Sequence, residues 1–90
     1  MTDEELYHLI GKRLRARRRL LELTQTQVAQ ACGTTFQQVQ RHEAGDRALP
    51  VARLVKLAEA LGAPITHFLE PPAETAALQP DNHPIQRKAG

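Results

Sequence analysis

The sequence holds little of what most cores and most catalytic sites are made from. It has no tryptophan, and its aromatics are Tyr7, Phe36 and Phe68 alone, so a core has to be aliphatic. Ninety residues allow one domain with a modest interior. Cys32 is the single cysteine, which excludes an internal disulfide and points to a reducing compartment, the cytoplasm. No apolar run approaches the ~20 residues of a membrane-spanning helix, so no membrane is expected as a partner. The first ten residues, MTDEELYHLI, are acidic and lack the basic-then-apolar layout of a signal peptide. No glycine-rich phosphate loop occurs. His8, Cys32, His42, His67 and His83 stand apart with no zinc-ligand spacing, so neither a cofactor nor a metal is expected. Cys32 and His42 offer a nucleophile and a base, but nothing supplies an oxyanion hole or a third, orienting group. An enzyme is not expected.

Charge is present, and it is segregated. The formal net charge is +2, but residues 11–56 hold ten of the twelve Lys and Arg residues against Glu22, Glu43 and Asp46, a local balance of +7. The remainder stands at −5. A solvated helix face mixes signs at i,i+4, and this stretch does not, which favours a surface built to meet phosphates.

The chain reads as helices throughout, with no strand pattern and no repeat. Thr2 with Glu5, Thr24 with Gln27 and Thr35 with Gln38 each have the spacing of a capping box, a hydroxyl and an N3 side chain that satisfy each other's free backbone donors. The first opens a helix to about Leu21 with an apolar stripe of Leu6, Leu9 or Ile10, Leu14 and Leu21. Gly11 inside it costs roughly 1 kcal/mol against alanine, which is explained if another helix approaches closely there. Leu23 is placed under the start of the second helix, about Gln25 to Cys32, which buries Val28, Ala29 and Cys32. The third, about Phe36 to Ala44, buries Val39 and His42. The fourth starts near Pro50, placed in its first turn, carries Val51, Leu54, Val55, Leu57, Ala58 and Leu61, and ends at Gly62. A short fifth follows Pro64 and buries Ile65, Phe68 and Leu69. Gly33 between the second and third suits the left-handed turn of a helix-turn-helix unit, in which DNA-binding versions lay the second helix in the major groove. Residues 1–70 are therefore expected to form the binding domain. Residues 71–90, with four prolines and no amphipathic period, are expected to form a flexible tail with at most a helical turn over Glu74–Leu78.

Residues 10–69 resemble the phage-repressor, Cro-like helix-turn-helix family, often called XRE. The resemblance is carried by Ile10-Gly11-Lys12-Arg13-Leu14, Leu23-Thr24-Gln25, Val28-Ala29, Gly33, Val39, Glu43-Ala44-Gly45 and Leu57-Ala58-Glu59-Ala60-Leu61-Gly62. Thr35-Phe36-Gln37-Gln38-Val39-Gln40 further resembles a subgroup common among alphaproteobacterial regulators, the TFQQ type. The resemblance implies an all-α, lambda-repressor-like bundle of five short helices, the same number that the caps and periodicity mark.

It also implies roles. Gln25 occupies the place of a glutamine that contacts a DNA phosphate at a helix N-terminus. Thr35, Phe36, Gln37 and Gln38 fall where the family touches base edges, and Arg41, one turn on, fills another base-contact position. Thr26, Arg15, Gln40 and Arg47 are further phosphate candidates. Arg18 and Glu43 match an ion pair that braces the first helix against the third. There are departures as well. Phe36 stands where a polar or basic residue is usual, and it can cover a thymine methyl but not hydrogen-bond a base. His42 replaces an apolar or Tyr side chain, Pro50 a capping serine, and Arg17 a leucine.

Plainer roles compete with these. Gln37 and Gln38 can serve solubility alone, Phe36 can be core, and Arg13, Arg15 and Arg19 can be solvent charges. Arg41 can pair with Glu43 or Asp46. His42 reads as a partly buried structural imidazole and Cys32 as a small core residue. The resulting expectation is a sequence-specific regulator of transcription binding double-stranded DNA, a repressor acting as a homodimer at the nucleoid. The alternatives are an antitoxin whose tail wraps a toxin, and a protein-interaction adapter that has kept the fold but lost DNA binding.

Overall fold

The computed structural model describes residues 1–70, five α-helices in chain order: α1 Asp3–Leu20, α2 Gln25–Cys32, α3 Phe36–Ala44, α4 Val51–Ala60 and α5 Ile65–Leu69. The tail expected over 71–90, with the turn at Glu74–Leu78, lies outside the described residues.

The helix starts follow the side chains at their caps. Thr2 accepts from the Glu5 backbone N–H while the Glu5 carboxylate accepts from that of Thr2, and Thr24 and Gln27 exchange the same two bonds. At α3 only half of the expected box forms. Thr35 Oγ1 accepts from the Gln38 backbone N–H at 3.2 Å, but the Gln38 side chain does not return. It lies instead along a groove beside His42 and Arg47. Pro50 is not in the first turn of α4 but one residue ahead, at the N-cap.

The stop of α1 is unusual. Leu23 N–H bonds the Arg18 carbonyl and Glu22 N–H that of Arg19, the paired closure that needs one left-handed residue. That residue is Glu22, at φ 60°, where glycine is the common choice. Gly33 makes the same closure, at φ 70°, between α2 and α3, and so sets the angle of the helix-turn-helix.

The core is aliphatic around one ring: Ile10, Leu14, Val28, Ala29, Cys32, Val39, Leu54, Leu57, Ala58 and Leu61 surround a fully buried Phe68. Leu6, Leu23, Leu49 and Ile65 pack against its edge. Two expected core residues are outside it. Leu21 caps α1 rather than extending it and is exposed, and so is Leu69, because a five-residue helix turns one face inward and Phe68 fills it. Leu9 is half-buried beside a buried Ile10, so Ile10 carries that turn of the stripe.

Gly11 explains how α1 meets α3. A Cβ there would sit 2.5 Å from the carbonyl oxygens of both His42 and Glu43, so only glycine lets the last turn of α3 lie against α1. Arg17 ties α1 to the other end of the bundle. Its Nε donates to the Leu61 carbonyl at 2.8 Å and its Nη2 to that of Gly62 at 3.2 Å, placing a cation on the open carbonyls that close α4.

Candidate functional site

The exposed side of α3 follows from what its other side must bury. Val39, His42 and Glu43 face inward, so Phe36, Gln37, Gln40 and Arg41 face solvent. Gln37 and Arg41 are four residues apart and share one stripe. Phe36 is 44% exposed and is not part of the core. Arg41 forms no ion pair with Glu43 or Asp46. Thr35 is occupied as the cap, and Gln38 is half-buried at the edge of the stripe.

Three side chains from three helices hold α3 in place. Arg18 Nε donates to Glu43 Oε2 at 2.6 Å, and Arg18 Nη2 to Glu43 Oε1 at 3.0 Å, a two-pronged ion pair between α1 and α3. The hydrogen bond to Glu43 strengthens the guanidinium's hold on its proton, against the opposing effect of burial. Arg18 Nη1 also donates to the Leu23 carbonyl, 2.9 Å, fixing the turn before α2. Gln25 Nε2 donates to Glu43 Oε1 at 3.0 Å. One amide hydrogen of Gln25 is thus engaged within the protein, and the other remains for an outside acceptor at the start of α2.

The other phosphate candidates are placed separately. Arg15, Thr26, Gln40 and Arg47 are exposed on α1, α2, α3 and the α3–α4 loop, and no side-chain hydrogen bond or ion pair among the described residues links them. Sequence reasoning missed the contacts of Arg17 with Leu61 and Gly62, and of Gln25 with Glu43. The first spans 44 residues of chain and has no local signal. The second joins residues 18 apart and likewise has no local signal.

Burial determines the chemistry of the two groups considered for catalysis. Desolvation pushes the Cys32 thiol above its usual range, although Arg53 and Lys56 oppose it, and its Sγ meets the Lys56 carbonyl at 3.5 Å. Burial also holds the His42 imidazole below its usual 6.5, helped by the positive charges of Arg53 and Arg47 and opposed by Asp46. Among the described residues no cluster of three His, Cys, Asp or Glu side chains could hold a metal, and no helix is long and apolar enough to cross a membrane.

The all-α bundle of five short helices, with α2 and α3 joined through Gly33, defines a helix-turn-helix protein. A helix-turn-helix family model matches residues 14–68, and the chain belongs to the Cro-like (XRE) helix-turn-helix family. It is 41% identical over 59 residues to a transcriptional regulator encoded in the ATPase CF(0) region of Rhodospirillum rubrum, covering 66% of this chain and 55% of that one. It is 34% identical over 61 residues to an HTH-type transcriptional regulator of Sinorhizobium medicae, covering 68% of this chain and 44% of that one. The chain thus spans about half the length of the curated relatives it matches. Its fold is that of the restriction-modification controller protein C.AhdI from Aeromonas hydrophila, with a TM-score of 0.67 and 29% identity over 69% of this chain and 94% of that one. This is the lambda-repressor-like architecture.

Proposed function

We propose that this chain is a transcriptional regulator that binds double-stranded DNA and reads the major groove with α3. The observation that carries the reading is the exposed stripe of Phe36, Gln37, Gln40 and Arg41, on a short helix held from behind by a buried ion pair. A helix positioned this firmly, facing solvent with amide and guanidinium groups, presents the donors and acceptors that base edges require. In this reading Thr35, Phe36, Gln37, Gln38 and Arg41 meet bases. Gln25, Thr26, Arg15, Gln40 and Arg47 meet phosphates, and Arg18 with Glu43 forms the brace. Residues 1–70 are the binding unit and residues 71–90 a separate tail.

One such domain covers a half-site, so the working form is a homodimer on a palindrome with half-site centres about 10 bp apart or a multiple of that. The sign of regulation is repression, and the place of action is the cytoplasm. The TFQQ-type subgroup is part of this reading on the strength of Thr35-Phe36-Gln37-Gln38 alone. The antitoxin reading depends on residues outside the described part, and the adapter reading is opposed by the +7 balance of residues 11–56.

Selection of bound duplexes from a random library, followed by salt titration on the selected site, tests the proposal. A palindromic consensus is expected, with affinity falling log-linearly with salt by about one slope unit per phosphate contact. Failure to enrich any sequence, together with a flat salt dependence, would overturn it.

A further inference from the structure

The exposed stripe of α3 opens on an apolar tip. Phe36 is the first residue of the helix, exposed and outside the core, and its ring has no aromatic or cationic partner among the described residues. Thr35 beside it is exposed too, with its hydroxyl occupied as the cap by the Gln38 backbone N–H. The polar side chains Gln37 and Arg41 begin only after this tip. An aromatic ring left in water at the end of a helix gains free energy by covering apolar surface. In the major groove the apolar group that a base edge can offer is the methyl on C5 of a pyrimidine. Thymine always carries it. Cytosine carries it only after methylation, as 5-methylcytosine, at the same ring position.

We infer that Phe36 makes binding depend on the C5 methyl group itself, so that the protein distinguishes 5-methylcytosine from cytosine in its DNA site. The inference rests on the reading of α3 as the helix that enters the major groove. Beside their C5 positions the two pyrimidines differ: O4 of thymine accepts a hydrogen bond, and N4 of cytosine donates one. An amide or guanidinium in place of Phe36 would respond to that difference. A phenyl ring has neither donor nor acceptor, so it responds to the methyl and not to the base that bears it. Thymine and uracil differ by that one methyl, and so do 5-methylcytosine and cytosine. Phe36 therefore ranks the two pairs alike. The partner is DNA modified by a cytosine-C5 methyltransferase, and the modification strengthens binding. The effect is that of one buried carbon, ~0.8 kcal/mol, or about fourfold in affinity per methyl group. No phosphate contact changes, so the ratio is the same at every salt concentration.

The test uses the full chain and the duplex selected from the random library. Each thymine on either strand of a half-site is replaced in turn by deoxyuridine, which removes the methyl and nothing else. One position is expected at which the parent loses about fourfold in affinity, while Phe36→Ala binds the two duplexes equally. A C·G pair is then installed at that position, with and without a methyl on C5 of the cytosine. The parent is expected to bind the methylated duplex about fourfold tighter at low and high salt alike, and Phe36→Ala to show no preference. A parent that binds both members of each pair equally overturns the inference. So does a preference that survives in Phe36→Ala, because the methyl then acts through the shape of the duplex. Both outcomes leave the DNA reading standing as long as the selected duplex outcompetes a scrambled one. If no duplex is preferred, both readings fall. Phe36 lies outside the core, so Phe36→Ala is expected to fold like the parent, which circular dichroism checks.

Discussion

Gln25 and Glu43 are joined by a hydrogen bond of 3.0 Å, from the first residue of α2 to the last turn of α3, and the oxygen that accepts it also accepts from Arg18. The carboxylate that braces the recognition helix therefore also orients the glutamine expected to touch a phosphate. One side chain thus joins the brace to the proposed phosphate contact.

The brace itself comes first. The Arg18 and Glu43 side chains are 12% and 5% exposed, so removing either leaves a shielded charge without its partner. Arg18→Ala or Glu43→Ala is expected to cost about 3 kcal/mol, against the ~0–1 of a surface pair. The swap Arg18→Glu with Glu43→Arg is expected to recover only part, because the Leu23 carbonyl and the Gln25 amide lose their partners as well. Urea denaturation of the parent, the two alanine variants, their double variant and the swap measures this, and additive alanine variants would remove the pair from the account.

Readers and anchors separate on the exposed stripe. Arginine can pair with guanine O6 and N7, and glutamine with adenine N6 and N7, while Phe36 suits a thymine methyl. A half-site with adjacent A·T and G·C requirements is expected. Arg41→Ala is expected to cost about 1–3 kcal/mol on the selected duplex and to relax one base pair. Gln25→Ala should weaken selected and scrambled duplexes alike, since a phosphate contact carries no sequence information. Titrating both mutants against both duplexes at one salt concentration checks the division. Equal weakening of both duplexes by Arg41→Ala would contradict it.

Glu22 holds a left-handed conformation without the freedom of glycine. The strain is about 1 kcal/mol or slightly more, partly offset because glycine costs more entropy to order. Glu22→Gly is expected to raise stability by about 0.5–1 kcal/mol, seen as a higher melting temperature with the same helix content. A lower melting temperature would show that the Glu22 side chain outweighs its backbone.

His42 makes stability depend on pH. Its pKa is depressed in the folded protein, so the unfolded chain binds the proton more tightly. Stability from this group is complete above the unfolded value of about 6.5 and falls as pH drops from there towards the folded value. Denaturation midpoints taken across that window should fall with pH in the parent and change less in His42→Phe. A parent midpoint that rises on acidification would reverse the assignment.

Much of this protein was legible in the chain because its signals are local. Thr2, Thr24 and Gly33 act within one turn of their own positions, and the apolar spacing of Ile10, Leu14, Leu54, Leu57 and Leu61 is a property of each helix alone. The family motif supplied the partners Arg18 and Glu43, 25 residues apart, which spacing by itself does not pair. Leu21 and Leu69 were misplaced because an apolar side chain at a helix end has no period left to assign its face. Gln38 was misread because a capping spacing states what a side chain can reach, not what competes for it.

The sequence by itself determined the number of helices, where most of them start and stop, and the aliphatic character of the core, because caps, turns and periodicity depend on residues close together in the chain. Only the tertiary structure decided the rest. It showed that Gly11 is required by the carbonyls of His42 and Glu43, that Arg17 closes α4, and that Glu43 serves Arg18 and Gln25 together. It also showed that His42, Arg47 and Arg53 share a groove at the start of α4. Each of these depends on distances between helices, which packing sets and no local pattern encodes.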